Sequence, residues 1–159
     1  MPAPSFLVSA YAAAVDRRDL EALRALFLPD ATLTVRRGGG EPEVHRGHEG
    51  LAAVIELLGA FEMTLHEVST VVIEIDAAGE RGAVDTDGEV REKAPAETAS
   101  GEAVCVAHHV RRGEGREAED LVLFGRYSDR FARDEDGRWR FTARELRVLW
   151  TEKRPVRLA

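Results

Sequence analysis

The order in which its hydrophobic periodicities change constrains this chain more than any other feature: helical spacing comes first, and strand alternation takes over for the rest. Leu7, Tyr11, Ala14 and Val15 recur at helical spacing, and Leu20, Leu23, Leu26 and Phe27 do so again after the polar break Asp16-Arg17-Arg18-Asp19. Two short helices are predicted, with Asp19 placed to cap the second. Pro29-Asp30 stops that helix, and the β-branched run from Ala31 to Val35 predicts a strand ending at Gly38-Gly39-Gly40. The clearest helix is predicted from Gly47 to Phe61, where Leu51, Val54, Ile55 and Leu58 make one apolar face and leave Glu49 and Glu56 to water.

From His66 onward, Val68, Thr70, Val71, Val72, Ile73 and Ile75 suit a long strand. Three more strands are predicted over Gly101 to Arg111, Leu121 to Phe131 and Arg138 to Trp150, the last two joined through the turn Asp134-Glu135-Asp136-Gly137. Helices followed by hairpin-connected strands predict the α+β class, here one domain over residues 1–159. Residues 77–100 fit no element; a mobile lid, a poorly ordered insertion and a hidden hairpin all remain open.

Composition removes several partner classes. The net charge of −7 is spread over mixed-sign segments with no basic stripe, so nucleic acid is not expected. No apolar run approaches the ~20 residues of a membrane helix. Met1-Pro2-Ala3-Pro4 lacks a secretion signal, so no membrane partner and a cytoplasmic location are expected. Lys153-Arg154-Pro155-Val156-Arg157 reads as a solvated basic tail. The single cysteine, Cys105, has no disulfide partner and reads as a small core residue.

The stretch from Tyr11 to Leu23, followed by Phe27-Leu28-Pro29-Asp30-Ala31-Thr32-Leu33, resembles the opening of the nuclear transport factor 2-like superfamily. Arg46-Gly47 before the third helix and Thr64-Leu65-His66 at the start of the long strand agree with it. The closing segment, with Gly125 to Arg130, Asp136-Gly137-Arg138-Trp139 and Leu149-Trp150, is most similar to the SnoaL-like branch, related to scytalone dehydratases, polyketide cyclases and ketosteroid isomerases. The resemblance implies a cone-shaped, curved antiparallel sheet, a cystatin-like roll, with three N-terminal helices closing it around a pocket. Relatives commonly pair through the outer sheet face, so a homodimer is expected, and the apolar residues on both faces of the 66–76 strand are compatible with one.

Position by position, the resemblance matches Asp16 and His66 to the acid–base dyad of scytalone dehydratase-like members, and His109 or His108 to their second histidine. The residue types suit the chemistry: imidazole titrates near neutrality, and a carboxylate on one ring nitrogen fixes the tautomer and raises basicity. His66 would remove a proton from carbon and His109 protonate a leaving hydroxyl or carbonyl oxygen, while Tyr11 or Tyr127 donates to the developing enolate. Strand parity turns Tyr127 and Asp129 inward and Arg126 and Arg130 outward. Asp129 matches, by its distance from the Gly137 turn, the aspartic acid that donates to the substrate oxygen in ketosteroid isomerases, a carboxyl kept protonated by its apolar site. His109 shares its face with the small residues Ala103, Cys105 and Ala107 and is favoured over His108 for the pocket. His108, Arg144 and Trp150 complete the expected substrate-binding set.

Each of these residues has a plainer role open to it. Asp16 could cap the inter-helix turn, His66 lie on the surface, His109 serve the core, Asp129 pair with Arg144, and Tyr11 simply pack. His45 and His48, beside a turn and a helix start, read as surface residues. The ketosteroid isomerase base is replaced by Val35, and the paired aspartates of limonene epoxide hydrolase-like members are not evident. No metal site is expected, because neighbouring His108 and His109 cannot both ligate from one face. The expected activity is therefore a cofactor-independent dehydratase, cyclase or isomerase acting on a small, largely apolar metabolite such as a polyketide. A non-catalytic ligand-binding or dimerising domain of the same fold is the alternative.

Overall fold

A computed structural model of the protein describes residues 2–76, 97–115 and 117–159. Helix α1 (Pro4–Arg17) begins with proline in its first turn, where a missing N–H costs nothing, and α2 (Leu20–Ala25) begins at Asp19, whose carboxylate accepts from the Ala22 N–H at 2.9 Å. Then come β1 (Phe27–Arg37), β2 (Glu43–Arg46), α3 (Gly47–Leu58), β3 (Met63–Ile75), β4 (Thr98–Arg112), β5 (Glu117–Arg133) and β6 (Trp139–Arg157). Of the unassigned 77–100 segment, Thr98–Ser100 opens β4, and the lid, insertion and hairpin readings fall on residues outside those described. Among the described residues no helix is long and apolar enough to cross a membrane.

The described strands form one sheet in the order β2-β1-β6-β5-β4-β3. Its neighbours are antiparallel except β1 and β6, which run parallel, so the expected all-antiparallel sheet is mixed at that seam. Parallel neighbours need a crossover rather than a tight turn, and the chain supplies one through α3 and strands β3 to β5. The basic C-terminal segment is not a free tail: Lys153 to Arg157 pair in register with Leu121 to Glu117 of β5, with their side chains largely outward.

Three register shifts decide which side chains face in. Between Ser69 and Val72, Thr70 and Val71 oppose the single residue Ala103, and this one extra residue, with Thr70 at φ 49°, turns Ile73 rather than Val72 toward the core. In β6, Thr142 and Leu149 are extra residues opposite the Arg130/Phe131 and Phe124/Gly125 steps. Phe141 and Arg144 are therefore both buried, and Trp150 is turned out with half its surface exposed, 51%, stacked on Phe124 at 4.5 Å. Trp150 does not line the pocket, contrary to the sequence reading, because the bulge at Leu149 reverses parity just before it.

Helices α1, α2 and α3 cover the inner face, where Leu7, Val8 and Val15 of α1 and Leu23 of α2 share one core cluster with a row of phenylalanines. Phe141 sits at the middle of that row, 4.8 Å from both Phe27 and Phe131. Truncating so central a ring removes its burial and leaves a cavity between three strands. Phe141→Ala is expected to lose about 3–5 kcal/mol in a urea denaturation series, and a loss under about 1 kcal/mol would mean the row is not the core.

Candidate functional site

The last turn of α1 carries Asp16 to the edge of β3, and three donors meet on its carboxylate. His66 Nδ1 lies 2.7 Å from Oδ1, the His66 backbone N–H donates to Oδ2 at 2.8 Å, and the Thr64 hydroxyl donates to Oδ1 at 2.9 Å. Thr64 is itself held by Arg18, whose guanidinium donates to it at 2.7 Å and to the carbonyls of Val15 and Leu58 at 2.9 and 3.0 Å. Arg18 adopts a left-handed backbone, φ 57°, as the α1 C-cap, and these bonds hold it there. Burial pushes Asp16 up, but the His66 side-chain and backbone hydrogen bonds outweigh it, and the carboxyl is held below its ordinary value. An ionised Asp16 fixes His66 with its proton on Nδ1, and Nε2 has no hydrogen-bond partner among the described residues.

His66 lines a cavity of about 410 Å³ with Tyr11, His109 and Tyr127, a volume within the roughly 300–1,000 Å³ of small-molecule sites. The walls are apolar, with Leu33, Val54, Leu58, Phe61, Leu123 and Leu146 among them. The His66 and His109 rings meet edge to face at 5.5 Å, and Phe61 lies 5.0 Å beyond His109. His109 Nδ1 donates to the Leu121 carbonyl at 3.3 Å. Burial, with the neighbouring His66, holds the His109 imidazole down at about 4. At neutral pH it is uncharged, which removes the ready-made acid the sequence reading gave it. A smaller hollow of about 310 Å³, between Ser9, Ala13 and Val68, reaches Asp16 and His66 from the α1 side.

His108 points the other way. It pairs through Nδ1 with Asp120 at 2.8 Å on the outer face, where Arg154 also holds that carboxylate at 3.2 Å, so it does not line this cavity as the expected substrate-binding set had it. The alternation of β4 is the reason: Ala103, Cys105, Ala107 and His109 face in, and His108 must then face out.

Asp129 and Arg144 also lie elsewhere than expected. They are neighbours across β5 and β6, 3% and 0% exposed, with the Arg144 Nε 3.6 Å from Asp129 Oδ1, and neither lines the histidine cavity. Arg144 is packed behind the two tyrosines, its guanidinium carbon 3.6 Å from the Tyr127 ring centre and 4.2 Å from that of Tyr11. Burial, opposed by Arg144, pushes the Asp129 carboxyl up to about 6. A hollow of about 660 Å³ lies over the opposite sheet face between Thr32, Thr34, Ser128 and Glu145. It touches Asp129 and Arg144 but neither histidine, so size does not mark the chemistry here.

Thr64, Arg18 and His45 are the site residues that sequence reasoning passed over. Thr64 was accessible through parity, being two residues before His66 on the same face. His45 lines the cavity mouth and pairs with Glu43 at 2.9 Å, although its place beside a turn suggested the surface. Nothing in the sequence marks Arg18, whose role follows from a backbone conformation.

Because His109 has its folded value, about 4, below its ordinary 6.5, its contribution to stability is complete above 6.5 and is lost as pH falls through 4. His109→Gln is expected to flatten that part of the stability-against-pH curve measured by chemical denaturation. Curves that differ only by a constant offset would show that His109 is solvated.

No curated protein matches this sequence. Solved structures do: a protein from Kribbella flavida superposes with a TM-score of 0.71 at 21% identity, covering 94% of this chain and 90% of that one. A candidate scytalone dehydratase from Novosphingobium aromaticivorans gives 0.64 at 27% identity, covering 98% and 87%. The hexachlorocyclohexane dehydrochlorinase LinA-type3 from Novosphingobium barchaimii gives 0.66 at 18% identity, covering 93% and 85%. Other structural neighbours are described by a cystatin-like fold, in agreement with the curved sheet and its helices. The sequence model of the SnoaL-like domain matches residues 5–145, and the chain belongs to that family.

Proposed function

We propose that the protein is an acid–base enzyme of dehydratase, cyclase or isomerase type, which acts without a cofactor on a small, largely apolar metabolite such as a polyketide. The observation that carries this reading is the Asp16–His66 contact, 2.7 Å, at the wall of an apolar cavity. A carboxylate on Nδ1 leaves Nε2 as a base aimed at substrate and stabilises the imidazolium formed when it accepts a proton. Two structural neighbours bear names denoting loss of water and of hydrogen chloride, and elimination is the branch they support.

In an elimination, His66 Nε2 takes the proton from carbon, the carbon–hydrogen electron pair moves into the new double bond, and the leaving group departs with its bonding pair. Neutral His109, its ring 5.5 Å from His66 and its one proton on Nδ1 toward the Leu121 carbonyl, presents Nε2 only as an acceptor for the substrate hydroxyl's own proton, and the proton that the leaving oxygen needs is the one His66 has just accepted. One residue thus serves first as base and then as acid, with Asp16 ionised throughout. The hollow on the α1 side keeps the dyad in exchange with solvent when substrate fills the cavity. A cyclase centred on Asp129 is less well supported, since that carboxyl sits behind the tyrosines.

Exchange of carbon-bound protons needs no knowledge of the final product. Small apolar carbonyl compounds incubated with the protein in heavy water and followed by NMR are expected to exchange at the carbon next to the carbonyl. His66→Asn should slow this by about 10²–10⁴-fold, the range for a positioned acid–base group, and Asp16→Asn should also slow it. Exchange that persists unchanged in folded His66→Asn would sink the assignment and favour a binding domain.

A further inference from the structure

Arg144 makes no hydrogen bond from Nε, Nη1 or Nη2 among the described residues, and both carboxylate oxygens of Asp129 are likewise unmatched. A guanidinium taken out of water normally recovers its cost through bidentate hydrogen bonds. Here its environment is aromatic. Tyr127, Tyr11 and Phe141 present ring faces at 3.6, 4.2 and 4.9 Å from the guanidinium carbon, an arrangement favoured by attraction between a cation and ring quadrupoles. Two of those three rings carry hydroxyls, and both of those residues line the histidine cavity.

We infer that Arg144 is a positioning residue that strengthens Tyr11 and Tyr127 as hydrogen-bond donors, and that the deep end of the cavity therefore takes a substrate carbonyl oxygen that becomes an enolate. The inference rests on the acid–base reading above and specifies its substrate class as an enolisable carbonyl compound. A cation against the face of a phenol draws electron density from the ring and favours the hydroxyl as a donor. A donor fixed where negative charge develops stabilises the transition state more than the ground state. Burial pushes the Tyr11 phenol up to about 12, with Arg144 and the Tyr127 hydroxyl pulling against it, so Tyr11 keeps its proton to share. Cys105 donates to the Tyr127 hydroxyl at 3.7 Å, extending support from behind. Asp129, at 3.6 Å from Arg144, moderates the charge that reaches the rings.

The chain has two tyrosines, so fluorotyrosine incorporated throughout reports only on this pair. Fluorine NMR signals assigned with Tyr11→Phe and Tyr127→Phe are followed against pH in the wild type, Arg144→Met and Arg144→Lys. The expected result is that Met raises both titration midpoints and Lys restores them in part, whereas a purely structural arginine would leave them unmoved in folded protein. Should Arg144→Met fail to fold, Asp129→Asn gives the converse reading, since freeing the arginine of its counter-charge should lower both midpoints; unchanged midpoints overturn the inference. Para-nitrophenol and nitrobenzene then test the substrate class. The phenol should bind as its phenolate, and lose about tenfold or more in affinity in Tyr11→Phe, while nitrobenzene is unaffected. Equal binding of the two probes to wild type would overturn the carbonyl assignment. Neither measurement involves His66, so a failure of this inference is told apart from a failure of the acid–base reading, which the His66→Asn exchange experiment tests.

Discussion

A single carboxylate, that of Asp16, ties the helical layer to the sheet at the wall of the histidine cavity. Its three donors come from two residues of β3, one of them through both ring and backbone, while its own backbone belongs to the last turn of α1. A helix end leaves carbonyls unpaired, and Arg18 closes that end by donating to Val15 and Asp16 carbonyls while reaching Thr64 and Leu58. His66, Asp16 and the helix terminus are thus one hydrogen-bonded unit. His66 cannot rotate without breaking bonds that also seat α1, which is why a side chain on a strand near the sheet edge can hold one tautomer.

The cavity has two electrostatic ends. Near α1 an ionised carboxylate faces an imidazole, and deeper in a buried arginine faces two phenols across their rings. Between them the wall is small or apolar, from Ala107 to Leu123. In the proposed reaction a proton removed at one end and negative charge gathered at the other are the two halves of enolisation, and the low-dielectric wall keeps both fields from being screened. The raised carboxyl of Asp129 is the mark of that dryness, for burial outweighs even an adjacent guanidinium.

Much of this was legible in the sequence because periodicity reports burial. The helices and the long strands follow from their periodicities, and the inward set of β5, with Tyr127 and Asp129 against Arg126 and Arg130, follows from an alternation that no extra residue interrupts in that strand. The same rule separates His109 from His108. It fails where the backbone gains a residue, since a bulge leaves no compositional trace in a β-rich segment: Trp150, expected in the substrate-binding set, is turned out by the extra residue Leu149. The parallel seam between β1 and β6 was hidden for a different reason, because pairing partners far apart in sequence leave no local pattern. Asp16 was hard to place because helical spacing sets it off the Tyr11 face, and only the neighbouring strand explains where it points. Depth within the cavity was likewise invisible: facing inward did not distinguish Tyr127, on the wall, from Arg144 behind it.

The two bulges in β6 divide that strand into segments whose facing is set independently. The stretch from Ala143 to Val148 carries the buried arginine, and the stretch from Trp150 onward contributes Thr151 to the cavity mouth. Removing the single extra residue Leu149 would rotate only the later stretch, bringing the indole of Trp150 to the mouth while Arg144 keeps its place behind the tyrosines. The rim of the cavity can thus change shape by insertion or deletion without touching the deep end, so a lineage could trade one substrate outline for another and keep the same polarising apparatus.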